Sequence, residues 1–114
     1  MTMGWIKLHR SIINWDWFSN DKTFRLYIYI LLKANVEDAS WLGVKVKRGQ
    51  FVTSRGHLAD ALGLSVQEIR TALRHLEKTG DISVKTTRFY TLITVENYDL
   101  YQGFEQFEPT DTDQ

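Results

Sequence analysis

Hydrophobic positions recur along this chain with two different periods, and the change from one to the other falls at Gly80. Phe24, Tyr27, Ile28, Leu31 and Leu32 stand at helical intervals and predict an α-helix over Lys22–Val36. Asn20 or Asp21 is placed to cap it, because either side chain accepts from the free amides of a first turn. Glu37–Gly43 reads as a loop. The run GVKVKRGQFVTS then predicts a short extended piece, with Gly49 turning the chain into Phe51–Val52. A second helix is predicted over Arg55–Leu62, with Leu58 and Leu62 inward and Ala59 allowing close approach. Gly63-Leu64-Ser65 breaks it.

Ser65 opens a third helix, Val66–Thr79, and Glu68 stands three residues on. That pair forms a capping box, in which the serine oxygen accepts from the Glu68 amide and the glutamate reaches back to the Ser65 amide. Val66, Ile69, Leu73 and Leu76 make the apolar stripe of this helix. Gly80 sits where a left-handed terminating residue is wanted. Beyond it the pattern alternates. Ile82 and Val84 point one way in a short strand, Lys85–Arg88 forms a polar tip, and Phe89–Val95 returns as a second strand.

The two ends are less regular. Leu8, Ile12 and Trp15 follow helical spacing, which predicts a short amphipathic helix or arm over residues 1–20. All four tryptophans fall within the first 41 residues. Either they pack the arm onto the domain, or Trp5, Ile12, Trp15 and Trp17 form a subunit interface. Residues 103–114, with Pro109 and a run of Thr and Asp, read as a polar acidic tail or the start of a linker. The expected organisation is one domain over residues 1–102 followed by that tail.

Length and composition fit this reading: 114 residues, 43% hydrophobic and 25% charged, suit a single globular domain with its own core. The absence of cysteine excludes disulfides, thiolate metal sites and cysteine nucleophiles. The longest apolar run, LYIYILL, is far short of a membrane span, and MTMGWIKLHR lacks the order of a signal peptide. A cytoplasmic protein without membrane association is expected.

The formal net charge is zero, but it is unevenly placed. Residues 45–90 carry nine Lys/Arg against four Asp/Glu, whereas residues 91–114 carry six acidic residues and no basic one. A basic middle is a mild pointer to an anionic partner.

Helix, short glycine turn, helix and hairpin, in that order, are the parts of a winged helix-turn-helix. The expected fold class is therefore mainly α with a small antiparallel hairpin and an aromatic-rich N-terminal extension. In such a unit the second helix enters the major groove of DNA. At about 100° per residue, Gln67, Thr71, Arg74 and Lys78 fall opposite the apolar stripe, with Arg70 on the flank. Arg bridges guanine O6 and N7, Gln pairs with adenine, and Lys and Thr reach phosphate. Lys85 and Arg88 at the hairpin tip are placed for backbone or minor groove. Glu68 and Glu77 on the same helix lower the local potential.

Catalytic chemistry is not legible. His9, His57 and His75 lack mutual ligand spacing, and GHLADALG lacks the features of a phosphate-binding loop. His75 reads as a solvated surface residue. No enzyme activity, cofactor, metal or small-molecule substrate is expected.

The segments GWIKLHRSI (4–12), AN (34–35), GQFVTSRGHLADALGLS (49–65), IRTALRHLEKTGDI (69–82) and ITVENYDLYQ (93–102) resemble the N-terminal winged-helix domain of DnaD-like replication initiators, the replisome organisers of bacteria and their phages. The resemblance spans nearly the whole chain. It implies origin DNA as a partner, self-association as a dimer or higher oligomer, and recruitment of the replicative helicase or its loader. It also implies a polar linker to a C-terminal domain, beginning where this sequence ends. Two other readings fit the same pattern: a scaffold whose winged helix binds protein, and a transcription regulator reading a palindrome as a symmetric dimer.

Overall fold

Asn20 opens the first regular helix of the computed structural model, which describes residues 4–103. Its side chain accepts from the Thr23 amide at 3.1 Å, and helix α1 runs Asp21–Lys33. Thr23, Leu26, Ile30 and Leu31 are buried. The inward face is therefore rotated from the expected one: Leu26 and Ile30 are fully buried while Leu32 is 59% exposed.

The expected loop after α1 contains a small hairpin, β1 (Ala39–Trp41) with β2 (Val44–Val46), paired Ala39 to Val46 and Trp41 to Val44. Leu42 and Gly43 join the strands with φ of 44° and 81°. Two consecutive left-handed residues make a type I′ hairpin turn, whose twist matches that of the strands. Gly49, at φ 84°, then turns the chain into β3 (Gln50–Thr53).

Helix α2 (Arg55–Leu62) is capped by Ser54, whose Oγ accepts from the His57 amide at 3.0 Å. Helix α3 (Val66–Lys78) follows, then β4 (Ile82–Thr86), β5 (Thr91–Val95) and the short α4 (Tyr98–Gln102). The expected hairpin is β4–β5, but it is part of a larger sheet. Strand β3 pairs antiparallel with the other edge of β5, Phe51 opposite Ile93, giving the order β3-β5-β4. Phe51 and Thr53 alternate inward along β3, so the strand buries one face and spends its backbone groups on β5. The molecule is thus a small α/β domain with four α-helices and antiparallel strands, more sheet-rich than a mainly α domain with one hairpin.

One core joins these layers. Leu26 and Ile30 of α1, Leu58 of α2, Ile69 and Leu76 of α3 and Ile93 of β5 are fully buried in it. No helix among the described residues is long and apolar enough to cross a membrane.

The N-terminal segment is not an amphipathic α-helix. Residues 5–9 have no regular structure, and a single 3-10 helix spans Arg10–Asn14. The reason is long-range fastening. The Lys7 amide donates to Gln102 Oε1 at 2.8 Å, and Gln102 Nε2 donates to the Lys7 carbonyl at 2.7 Å. The backbone of Lys7 thus makes a pair of bonds with one side chain of α4 in place of intrahelical bonds. Of the expected tail, all but Gly103 lies outside the described residues.

Candidate nucleic-acid interface

The α2–α3 unit is built from local signals. Gly63 takes φ 67°, and the Leu64 amide bonds the Ala59 carbonyl at 3.0 Å, which closes α2. Ser65 and Glu68 form the expected capping box: the Glu68 amide donates to Ser65 Oγ at 3.0 Å, and the Ser65 amide to Glu68 Oε1 at 2.9 Å. Ile69, Ala72, Leu73 and Leu76 bury the inner face of α3. Val66, expected in that stripe, is 41% exposed, because it starts the first turn at the edge of the packed face. Ala72 takes its place in the core.

With that face buried, Gln67, Arg70, Thr71, Arg74 and Lys78 all stand exposed. Lys85 on β4 and Arg88 in the following turn are exposed as well. None of the arginines and lysines in this set takes part in an ion pair among the described residues. Arg88 instead holds its guanidinium 5.4 Å from the ring centroid of Phe89.

The acidic residue at the start of α3 is partly neutralised. Lys22 Nζ of α1 lies 2.5 Å from Glu68 Oε2. That ammonium, with the Ser65 amide, holds the Glu68 carboxyl at about 2, below its ordinary 4.5. The carboxylate stays ionised as a cap, while its charge is matched from the neighbouring helix.

A shallow groove runs beside the exposed face of α3. Gln67 and Thr71 form one wall, and Trp17, Asn20 and Lys22 contribute to the other. His75 lines it too, but not as a solvated histidine. It is half-buried, its ring stacks on Trp17, and its Nδ1 lies 2.8 Å from Thr23 Oγ1. Its position ties α3 to α1 and to the arm.

The four residues expected at an interface between subunits divide into two groups. Trp15 is half-buried against Tyr27, ring centroids 4.8 Å apart, and donates from Nε1 to Asp81 Oδ2 at 3.1 Å. Trp17 donates to Thr79 Oγ1 at 3.0 Å. Both indoles thus pack the arm onto its own domain. Ile12 is half-buried close to Trp15, and Trp5 is 61% exposed.

Two tips of the fold carry apolar side chains that helical-face reasoning passed over. Phe89 at the β4–β5 turn is 79% exposed, and Leu42 at the β1–β2 turn is 84% exposed. The only advance signal was an aromatic residue directly after Arg88 in a polar tip. The chain matches no family model, no curated protein and no solved structure.

Proposed function

We propose that this chain is a winged helix-turn-helix domain that binds double-stranded DNA through α3, with β4–β5 as its wing. The observation that carries the reading is the division of α3 into two faces. One is buried on α1 and α2, and the other presents Gln67, Arg70, Thr71, Arg74 and Lys78 to solvent. These side chains combine a guanine reader, an adenine reader and phosphate contacts on one groove-sized rod. Lys85 and Arg88 add positive charge on the wing, in reach of flanking phosphates. The order α1, β3, α2, α3, β4, β5, with the sheet order β3-β5-β4, supports the same fold assignment.

Within that reading, the sequence resemblance to DnaD-like initiators favours a role in starting replication, with the helicase or its loader as a further partner. Self-association through the arm belongs to the same proposal. A protein-binding scaffold is the second reading, and one observation favours it: Trp5, Leu8, Ile13 and Phe18 of the arm are all substantially exposed.

The test is fluorescence anisotropy with labelled duplex at several salt concentrations, comparing the chain with an Arg74→Ala/Lys78→Ala variant. Both residues are solvent-facing, so the fold should survive the change. Affinity should fall by about 0.9 log unit per tenfold rise in salt for each phosphate neutralised, and the variant should show a shallower slope. Absence of binding at low salt, or indifference to the variant, overturns the assignment of α3. Self-association measured by light scattering then decides for the scaffold.

A further inference from the structure

The two hairpins touch. Trp41 of β1 and Tyr90 beside β5 make an edge-to-face contact, centroids 5.7 Å apart and planes at 73°. Phe89, next to Tyr90 in the chain, is 79% exposed, and Leu42, next to Trp41, is 84% exposed. Exposed apolar side chains are common singly, but one on each of two hairpins that touch at the adjacent residues calls for an explanation. Neither loop is slack. Thr87 Oγ1 accepts from the amides of both Phe89 and Tyr90 at 3.1 Å, and the Thr87 amide bonds the Tyr90 carbonyl at 2.8 Å. Phe89 is therefore displayed from a fixed turn. Leu42 occupies a left-handed position, φ 44°, that a branched apolar residue rarely adopts.

Charge decides what such side chains fit. Residues 39–48 and 82–95 contain Lys45, Lys47, Arg48, Lys85 and Arg88, and no aspartate or glutamate; of these, Arg48 is paired with Asp99, and the other four take part in no ion pair among the described residues. Arg88 lies over the Phe89 ring itself. A rigid aromatic face beside Lys45, Lys85 and Arg88, none of them in an ion pair among the described residues, suits a ligand that is flat, apolar on its faces and anionic on its rim. An unpaired nucleotide has that chemistry: its base stacks on the ring while its phosphate meets the cation. In an intact duplex the base faces are covered by their neighbours.

We propose that Phe89 is a stacking platform for the first unpaired base at a junction between duplex and single strand, with α3 held in the adjoining duplex. This rests on the DNA-binding reading of α3 and adds the kind of DNA preferred. Trp41 braces Tyr90, the residue next to the platform, from the neighbouring hairpin.

The test uses the whole chain and three probes of matched sequence: a blunt duplex, the same duplex with a single-stranded extension, and the single strand alone. The extended probe carries 2-aminopurine at the first unpaired position. The chain should bind it about tenfold more tightly than the blunt duplex, in line with one stacked base, and should change the 2-aminopurine emission. Phe89→Ala should abolish both the preference and the emission change while leaving blunt-duplex affinity intact. Phe89→Trp should keep both. Equal loss on the blunt duplex would make Phe89 a wedge into a closed helix and overturn the junction proposal. Unchanged binding by Phe89→Ala, with the Arg74→Ala/Lys78→Ala effect present, would overturn it and leave the α3 reading standing. Failure of every probe to bind would overturn both.

Discussion

The indole of Trp17 lies almost flat on the imidazole of His75, ring centroids 4.4 Å apart and planes at 13°. The contact is anchored on both sides. Trp17 Nε1 donates to Thr79 Oγ1 at 3.0 Å, and Thr79 Oγ1 in turn bonds Asp81 Oδ2 at 2.5 Å. The same Asp81 oxygen accepts from Trp15. His75 reaches Thr23 of α1. The C-terminal half of α3 is therefore the place where the arm, α1 and the turn into β4 are fastened together.

Removing the ring should separate these elements. Trp17→Ala loses a stacked aromatic pair and a hydrogen bond, and should lower the stability to urea unfolding by about 2 kcal/mol. Trp17→Phe keeps a ring for His75 but loses the donor to Thr79, and should cost about 1 kcal/mol. Equal losses in the two variants would show that stacking contributes nothing.

Gly49 and Gly80 both take left-handed backbone, φ 84° and 74°, yet they should respond differently to alanine. A Cβ on Gly49 would lie 2.8 Å from Cβ of Tyr98, whereas one on Gly80 would meet nothing within 4 Å. The Gly49 amide and carbonyl also bond Asn35 and Val95, which limits relief by backbone movement. Gly80→Ala should therefore cost about 1 kcal/mol, from backbone strain alone. Gly49→Ala adds overpacking and should cost about 3 kcal/mol. Chemical denaturation of the two variants checks the ranking.

Glu68 gives the domain an acid-side dependence. Its carboxyl titrates at about 2 in the fold against an ordinary 4.5, because Lys22 and the Ser65 amide favour the ionised form. A depressed pKa contributes stability that is present above about pH 4.5 and is lost as the pH falls toward 2. The variant Glu68→Gln keeps a side-chain oxygen for the Ser65 amide but has no proton to gain. Between pH 5 and pH 2 its stability, followed by circular dichroism in urea, should fall less steeply than that of the parent. Parallel curves would mean that the Lys22 pair is not formed in solution.

The parts legible in the sequence are those fixed by neighbours along the chain. Gly63, the Ser65–Glu68 box and Gly80 each act within a few residues, so the end of α2, α3 and their joint could be read directly. The exposed set on α3 followed from them. Contacts between distant residues were not legible. The arm is held by Gln102, which lies 95 residues from Lys7, so the spacing of Leu8, Ile12 and Trp15 could not decide between a helix and an arm. Strand β3 joins the sheet through β5, some forty residues on, and nothing local in GQFVTS announces that partner. Strand β1 is exposed throughout and shows no alternation to read. The solvated reading of His75 failed for the same reason, since Trp17 and Thr23 approach it from other elements.

Helix α1 puts that distinction to a quantitative test. Its sequence offers apolar residues on more than one side, so periodicity alone could place Leu31 and Leu32 inward together. The fold selects one side: Thr23, Leu26 and Ile30 face α3 and the sheet, while Leu32 stays 59% exposed. Leu26 has no exposed surface, and its removal leaves a void in the shared core that close-packed neighbours fill only in part. Leu26→Ala should therefore cost about 3 kcal/mol, from lost transfer energy and the residual cavity. Leu32→Ala removes a side chain already in water and should change stability by less than about 0.5 kcal/mol. The two leucines lie less than two turns apart on one helix, so helix propensity is the same for both changes and the difference isolates burial. Urea unfolding of the two variants measures it directly. A large loss at Leu32 with a small one at Leu26 would mean that α1 sits in solution with the other face inward.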